Sequence, residues 1–141
     1  MQTFVPFPDF HDSAAVLDYR RLGKQRVEAY QIIRAALNLS KGWGNHPATL
    51  MWRDNLAGLA AYGVTCCERW VALGYKDTTR AKIVELVDPD PTDLPAWWGL
   101  EGLHLSHRSN LLRKDPVFYG PLFPGVPADL EYVWPKEASR G

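Results

Sequence analysis

Apolar residues recur three and four positions apart along residues 12–39, which is the spacing of one face of an α-helix. At 100° per residue, one arc of this segment collects Tyr19, Leu22, Ala29, Tyr30, Ile33, Ala36 and Leu37. Most of the charged and amide side chains fall on the opposite side, whereas Arg26 projects into the apolar arc. The pattern predicts a long amphipathic helix over 12–39.

A second segment with the same period covers residues 47–73. Its apolar face is formed by Trp52, Leu56, Leu59, Gly63, Cys66 and Trp70. Pro47 suits the first turn of a helix, and Gly74 suits the position just after the last turn. We therefore expect a second long helix over 47–73.

Shorter helical patterns follow at 78–87 and 100–114, and an acidic, proline-rich loop at 88–95 lies between them. The tail at 117–135 is rich in proline, glycine and aromatic residues. No run of alternating apolar and polar residues indicates a strand. The sequence predicts a mainly α protein: a compact single-domain helical bundle (1–141) of three to five helices with an irregular, aromatic and Pro-rich C-terminal tail.

Length and composition favour an intracellular globular protein. The chain has 141 residues, 46% of them hydrophobic, which is enough for one domain with its own core. We expect neither a signal peptide nor a membrane span, because no apolar run approaches about 20 residues. Cys66 and Cys67 are adjacent and cannot link distant segments, so we expect them to be reduced. These features predict a cytoplasmic protein with no membrane partner.

The formal net charge is zero, but the charges are segregated along the chain. Residues 19–53 carry seven basic side chains and a single acidic one, and residues 85–101 carry five acidic side chains and no basic one. A basic helix face with aromatic loops nearby is typical of surfaces that bind phosphate backbones. A solvated helix face is the alternative interpretation.

Four residues of the first helix, with Asp18 at the edge, form the strongest candidate for chemistry: Arg21, Lys24, Gln25 and Glu28. Lys24 and Glu28 are four residues apart and can simply form an ion pair. A carboxylate held among cations near a phosphate-bearing substrate can also stabilise a developing positive charge or accept a proton.

The helix at 100–114 carries two histidines and a polar face. His104 and His107 are three residues apart and can share a face, but two histidines without further ligands make no convincing zinc site. His107 lies among leucines, which favours a hydrogen-bonded residue at the edge of the core. The hydroxyl, amide and guanidinium groups of the opposite face suit phosphate oxygens: Ser106, Ser109, Asn110 and Arg113.

The loop before residue 47 holds a further candidate. Asn45 and His46, together with Trp43 and Trp52, can line a pocket. A packed tryptophan cluster is the alternative. We expect no metal at His46, His104 or His107.

Several blocks of sequence, spread over nearly the whole chain, match the pattern of a known family. They are Met-Gln-Thr-Phe at 1–4, Leu-Asp-Tyr-Arg-Arg-Leu-Gly-Lys-Gln-Arg-Val-Glu at 17–28, Trp-Gly-Asn-His-Pro at 43–47, Ser-His-Arg-Ser-Asn-Leu-Leu-Arg-Lys-Asp-Pro at 106–116 and Tyr-Val-Trp-Pro at 132–135. On these blocks the chain resembles the endonuclease V-type pyrimidine-dimer DNA glycosylases, in particular the cellular and viral relatives that begin Met-x-Thr-Phe.

The resemblance implies a small helical protein and a defined mechanism that needs no cofactor. In that mechanism the α-amine of an N-terminal threonine attacks the sugar C1′ and forms an imine, and β-elimination then nicks the strand. A glutamate in a Tyr-Arg-Glu-Leu stretch assists, basic residues kink the duplex, and an adenine opposite the lesion is flipped out.

This chain differs from the family pattern at both catalytic places. The threonine is Thr3, which becomes terminal only if two residues are trimmed, and the bulky Gln2 favours retention of Met1. Arg21 stands where the glutamate is expected. The resemblance therefore implies the α-amine of Met1 as the nucleophile and Glu28 or Asp18 as the carboxylate.

Together these observations predict a monomeric DNA-repair glycosylase, with abasic-site lyase activity, that acts on damaged double-stranded DNA. The residues expected to bind the nucleic acid are Arg20, Arg21, Lys24, Gln25, Arg26, Asn45, His46, His107, Arg108, Asn110 and Arg113. Two alternatives stay open: a non-catalytic protein that binds damaged DNA, and an enzyme that acts on another nucleotide or on RNA.

Overall fold

The computed structural model describes residues 1–135 of the chain. Within them it contains no strand and seven helices: α1 (Phe10–Val16), α2 (Tyr19–Ala36), α3 (Pro47–Leu50), α4 (Leu56–Ala72), α5 (Thr79–Leu86), α6 (Glu101–Lys114) and α7 (Pro116–Tyr119). The predicted mainly α class is confirmed. The helix count exceeds the predicted three to five, because both long segments are divided and α7 is an additional short helix after α6.

The predicted helix over 12–39 is divided at Leu17 and Asp18, which both have extended backbone. Contacts with α7 hold this break. The phenol oxygen of Tyr119 accepts a hydrogen bond from the Asp18 N–H at 2.9 Å, and its hydroxyl donates to the Asp18 carboxylate. Periodicity cannot detect such a break, since the residue that stabilises it is 101 positions away.

The predicted helix over 47–73 is divided into α3 and α4 by a turn. Met51 and Trp52 are buried in this turn, and the indole N–H of Trp97 donates to the Met51 carbonyl at 2.8 Å. Asn55 precedes α4, and its amide donates to Asp93 at 2.9 Å. The turn is therefore fixed by tertiary contacts with Asp93 of the acidic loop and with Trp97, two residues after it.

The core lies where α2 packs against α4 and α5. Gly63 allows the close approach, because a Cβ there would lie 2.8 Å from the Ile83 Cδ1 and 3.1 Å from the Ala29 Cβ. Cys66 and Cys67 are buried in α4 as free thiols, and burial raises the pKa of Cys67 to about 12. Across residues 1–135, no helix combines the length and the hydropathy that crossing a membrane requires.

Candidate active site at the amino terminus

The first residues of the chain run as an extended segment across the helices, and side chains take the place of a neighbouring strand. The Gln2 N–H donates to Glu28 Oε2 at 2.7 Å. The Gln25 amide spans the next stretch: it accepts from the Phe4 N–H at 2.7 Å and donates to the Gln2 carbonyl at 3.2 Å. Gln25 is thus buried, and both polar atoms of its amide bind the protein backbone.

Thr3 in this segment is fully buried. Its hydroxyl oxygen accepts from the Trp52 indole N–H at 3.0 Å, and its carbonyl accepts from the Tyr132 hydroxyl. Trimming two residues would therefore leave the new α-amine inside the core and remove both bonds of Gln2. This geometry favours Met1 over Thr3 as the residue with an accessible amine.

The two histidines of α6 hold Val5 from both sides of its backbone. The Val5 N–H donates to His107 Nδ1 at 3.0 Å, and His104 Nδ1 lies 2.7 Å from the Val5 carbonyl, to which it donates. The Gly99 N–H donates to His104 Nε2 at 3.0 Å. Each ring uses one nitrogen as an acceptor, so both are neutral. The fully buried, hydrogen-bonded ring of His107 agrees with its interpretation as a core residue. A side chain without exposed surface is not available for the nucleic-acid contact that was also expected of His107.

The histidine pair makes stability depend on pH. Burial, with a smaller contribution from His104, lowers the pKa of His107 from 6.5 to about 3. Below pH 6.5 the unfolded chain binds a proton at His107 that the folded chain excludes, so the free energy of unfolding falls by up to about 1.4 kcal/mol per pH unit. We expect the loss in urea denaturation between pH 6.5 and about pH 5, above the usual pKa values of Asp and Glu side chains.

The exposed His11 provides a matched control for this prediction. His107→Gln keeps an acceptor near Val5 but cannot titrate, so its stability should vary much less between these pH values. His11→Gln should behave like the parent chain. A His107→Gln variant with the parent's full pH dependence would contradict the assignment.

Glu28 on α2 is the carboxylate beside the amino terminus. Its Oε2 lies 3.8 Å from the α-amine nitrogen of Met1, and its Oε1 lies 3.9 Å from Lys24 Nζ. Glu28 is 17% exposed, whereas Lys24 is 76% exposed. The Lys24–Glu28 pair expected from the sequence is present, and the α-amine is the second cation at the same carboxylate.

Two cavities open on either side of this cluster, and both are lined by Met1, Lys24 and Glu28. One, here called the Trp43 cavity, has a volume of about 650 Å³, and its other lining residues are Gly23, Val27, Gln31, Arg34, Ser40 and Trp43. The other, here called the basic cavity, has a volume of about 370 Å³, and its other lining residues are Gln2, Phe4, Arg20, Arg21, Gln25 and Lys114. Four cationic side chains therefore face the basic cavity, against one carboxylate.

Asp18, the other candidate carboxylate, lies apart from the amine. It lines neither cavity beside Met1 and pairs with Arg21 at 3.1 Å. Burial raises its pKa, but hydrogen bonds from Tyr119 and Arg21 outweigh burial and hold the pKa below its usual value. Asp18 is thus an ionised residue that holds the break between α1 and α2.

Three predicted phosphate-binding arginines are occupied by contacts within the protein. Arg26 forms an ion pair with Asp77 and stacks on Trp70 at 4.4 Å from the ring centroid. Arg108 donates to the Pro6 carbonyl at 2.7 Å, and Arg113 donates to the Ala128 carbonyl at 2.7 Å. The ion pair with the buried Asp77 carboxylate explains why Arg26 projects into the apolar arc of α2.

The polar face of α6 binds the C-terminal tail. Ser109 and Ser106 accept from the backbone N–H groups of Leu130 and Val133 at 3.0 and 3.1 Å. Asn110 donates to the Leu130 carbonyl at 3.2 Å. The oxygen-binding groups predicted for phosphate are therefore used on the protein's own backbone.

The loop before α3 has one exposed face and one buried side. His46 accepts from the Ala48 N–H at 3.0 Å and caps α3, while Asn45 is exposed. Trp52 packs in the core against Trp97, but Trp43 is 46% exposed. The two alternatives for this group thus apply to different residues: Trp52 belongs to a tryptophan cluster, and Trp43 lines a cavity.

Sequence reasoning did not name three residues that face the cavities: Lys114, Arg34 and Gln31. Arg34 was counted within the basic segment 19–53 and Lys114 lies in the motif block 106–116, and these were their only signals. Nothing in the pattern distinguishes Gln31 from other polar positions of α2.

Fold and site together define a small helical protein with its α-amine beside a carboxylate, at the junction of a basic cavity and a larger one. The family model described as pyrimidine dimer DNA glycosylase matches residues 1–83. This match covers more than half of the chain and includes Met1, Lys24 and Glu28. The chain belongs to the pyrimidine dimer DNA glycosylase family, a class of DNA-repair glycosylases. Searches of curated proteins and of solved structures gave no match.

Proposed function

We propose that this protein is a glycosylase and abasic-site lyase for pyrimidine dimers in double-stranded DNA, with the Met1 α-amine as its nucleophile. The observation that carries the proposal is the 3.8 Å separation between that amine and Glu28 Oε2, at the junction of two open cavities. The hydrogen bonds of the Gln2 backbone to Glu28 and Gln25 fix the position of the adjacent Met1 amine. Such preorganisation lowers the free-energy cost of reaching an attack geometry.

The chemistry uses only groups of the chain and the DNA. The lone pair of the neutral amine forms a bond to C1′, the glycosidic bond breaks, and its electrons leave with the base, which takes up a proton. The amine nitrogen then loses a proton, the C1′–O4′ bond breaks, and O4′ takes up the proton as a hydroxyl while the nitrogen and C1′ form a protonated imine. Loss of a proton from C2′ expels the 3′-phosphate, which is the nick. Glu28 is placed to accept a proton from the amine and to stabilise the positive charge on the sugar.

The basic cavity is assigned to the DNA backbone. Arg20 and Lys114 are exposed and line this cavity, so each can neutralise a phosphate. Arg20→Ala and Lys114→Ala should each reduce the slope of log affinity against log salt by about 0.9, in magnitude. Binding titrations at several salt concentrations measure this slope for damaged and undamaged duplexes alike.

Arg69 gives the matched control, since it is exposed on α4 and lines neither cavity beside Met1. Arg69→Ala should leave the salt slope unchanged. If Arg69→Ala changes the slope as much as Arg20→Ala, the DNA path does not follow the basic cavity.

Borohydride reduction tests the proposed function with the native, untagged chain and a duplex that carries one thymine dimer. We expect a nick at the dimer and a covalent protein–DNA product. A chain that binds this duplex with a steep salt dependence, but neither nicks nor becomes trapped, would instead be the non-catalytic binding protein. A preference for binding mononucleotides over duplex DNA would indicate an enzyme that acts on another nucleotide or on RNA.

A further inference from the structure

The first three peptide groups of the chain are each held by a side chain. The Gln2 N–H donates to Glu28, and the Gln2 carbonyl accepts from Gln25. The Thr3 carbonyl, in the next peptide group, accepts from the Tyr132 hydroxyl. Each peptide group is planar, so rotation is left only at the Cα atoms between them. The α-amine is attached to the Cα atom of the first group, and it moves relative to that group by rotation about a single backbone bond.

Tyr132 is the contact that comes from the C-terminal tail. Backbone N–H groups on either side of it, two residues before and one residue after, donate to Ser109 and Ser106 of α6 at 3.0 and 3.1 Å. Its ring stacks on His107, with 4.2 Å between the ring centroids and 13° between the ring planes. The hydroxyl is therefore presented to Thr3 by a segment that is attached to α6 on both sides.

The peptide group that Tyr132 holds is fixed through both of its polar atoms. The Phe4 N–H of the same group donates to Gln25 at 2.7 Å, so α2 and the tail bind opposite sides of it. Burial raises the pKa of Tyr132 above its usual value of 10, so the phenol stays protonated and donates at neutral pH. The Cα atoms of Met1 and Thr3 are at most about 7 Å apart along the chain, so a rotation of this group displaces the amine.

We propose that Tyr132 is a positioning residue for the nucleophile: its hydroxyl fixes the Thr3 peptide group and thereby holds the Met1 α-amine beside Glu28. This inference rests on the proposed function, since it takes that amine as the attacking group. Tyr132 acts through the backbone and not through the DNA, so it contributes to the reaction rate and not to DNA affinity. It also lies outside residues 1–83, so the active-site geometry depends on a part of the chain that the family model does not match.

The test uses Tyr132→Phe, which removes the hydroxyl and keeps the ring that stacks on His107. Nicking is measured with the protein in increasing excess over a duplex that carries one abasic site. A small displacement of a reacting group is costly, and we expect the rate at saturating protein to fall by about 10- to 100-fold. The same fall is expected on a thymine-dimer duplex, because both reactions use the amine. The protein concentration that gives half of the maximal rate should remain that of the parent.

Tyr119→Phe is the matched control, because it also removes a buried phenol hydroxyl, but one that binds Asp18 at the break between α1 and α2. It should lower stability and leave the saturated rate unchanged. Partial unfolding alone lowers the concentration of active protein, to which a saturated rate is insensitive. An unchanged saturated rate for Tyr132→Phe, or an equal fall for Tyr119→Phe, would overturn the inference. Failure of the parent chain to nick or trap on either duplex would overturn the proposed function instead, so the two failures are distinguishable.

Discussion

Glu28→Gln is expected to lower the single-turnover rate of strand nicking by about 10²- to 10⁴-fold, the usual contribution of a positioned proton-transfer group. The amide can still accept the Gln2 N–H that Glu28 Oε2 accepts at 2.7 Å, so the amino-terminal segment should stay in place. It carries no charge, so it can neither take a proton from the Met1 amine nor stabilise a cationic sugar. Nicking of an abasic-site duplex, with protein in excess, measures the effect.

DNA affinity and Asp18 provide the controls for this prediction. Removing a negative charge from a groove lined by cations should leave affinity unchanged or raise it, so the loss must appear in the rate. Asp18→Asn should instead lower stability, because Asp18 holds Arg21 and Tyr119 and lines neither cavity beside Met1. A normal rate for Glu28→Gln, or a rate loss confined to Asp18→Asn, would show that Glu28 is not the catalytic carboxylate.

Blocking the α-amine of Met1 is expected to abolish borohydride trapping completely. An amide nitrogen has no free lone pair and cannot form an imine, and acetylation converts the Met1 α-amine into such a nitrogen without adding a new amine. The basic cavity that we propose binds DNA is lined by side chains and remains, so affinity should change by only a few fold. Trapping yield and binding affinity are to be measured on the same blocked and unblocked preparations.

Lys24 is the competing amine, because its Nζ lies 3.9 Å from the other oxygen of Glu28. Lys24→Arg keeps the positive charge but removes the amine that could form an imine. We expect this variant to trap DNA at a yield close to that of the parent. Trapping that survives the N-terminal block and is lost in Lys24→Arg would identify Lys24 as the nucleophile.

The helical class could be predicted because the apolar residues of α2 and α4 face one core at the helical period. The breaks after α1 and α3 could not, because Tyr119, Trp97 and Asp93 cause them from distant parts of the chain. A local pattern contains no information about partners of this kind.

The polar residues of α2 and α6 show why a polar helix face is difficult to interpret from the sequence. Gln25 and His107 were expected to bind a nucleic acid and Ser109 to suit phosphate oxygens, and in the structure they bind backbone groups of the amino-terminal segment and the tail. A buried irregular segment has no neighbouring strand, so side chains must satisfy its N–H and C=O groups. A polar stripe on a helix therefore does not by itself indicate a surface open to solvent.

Glu28 was a candidate from its spacing to Lys24, and the resemblance supplied the idea of a terminal amine. Neither placed the two together, since the contact joins residues at the start of the chain and in the middle of α2. Gln25 and the two histidines of α6 hold the first residues by hydrogen bonds to their backbone, and this position brings the Met1 amine to Glu28.

The central claim is that the α-amine of Met1 is the nucleophile, and peptide mapping of the borohydride-trapped complex tests it most directly. After digestion of the DNA and the protein, mass spectrometry locates the sugar remnant. The account predicts the remnant on the α-nitrogen of the peptide that begins with Met1. A remnant on Lys24 Nζ, with an unmodified Met1 peptide in the same digest, would contradict it.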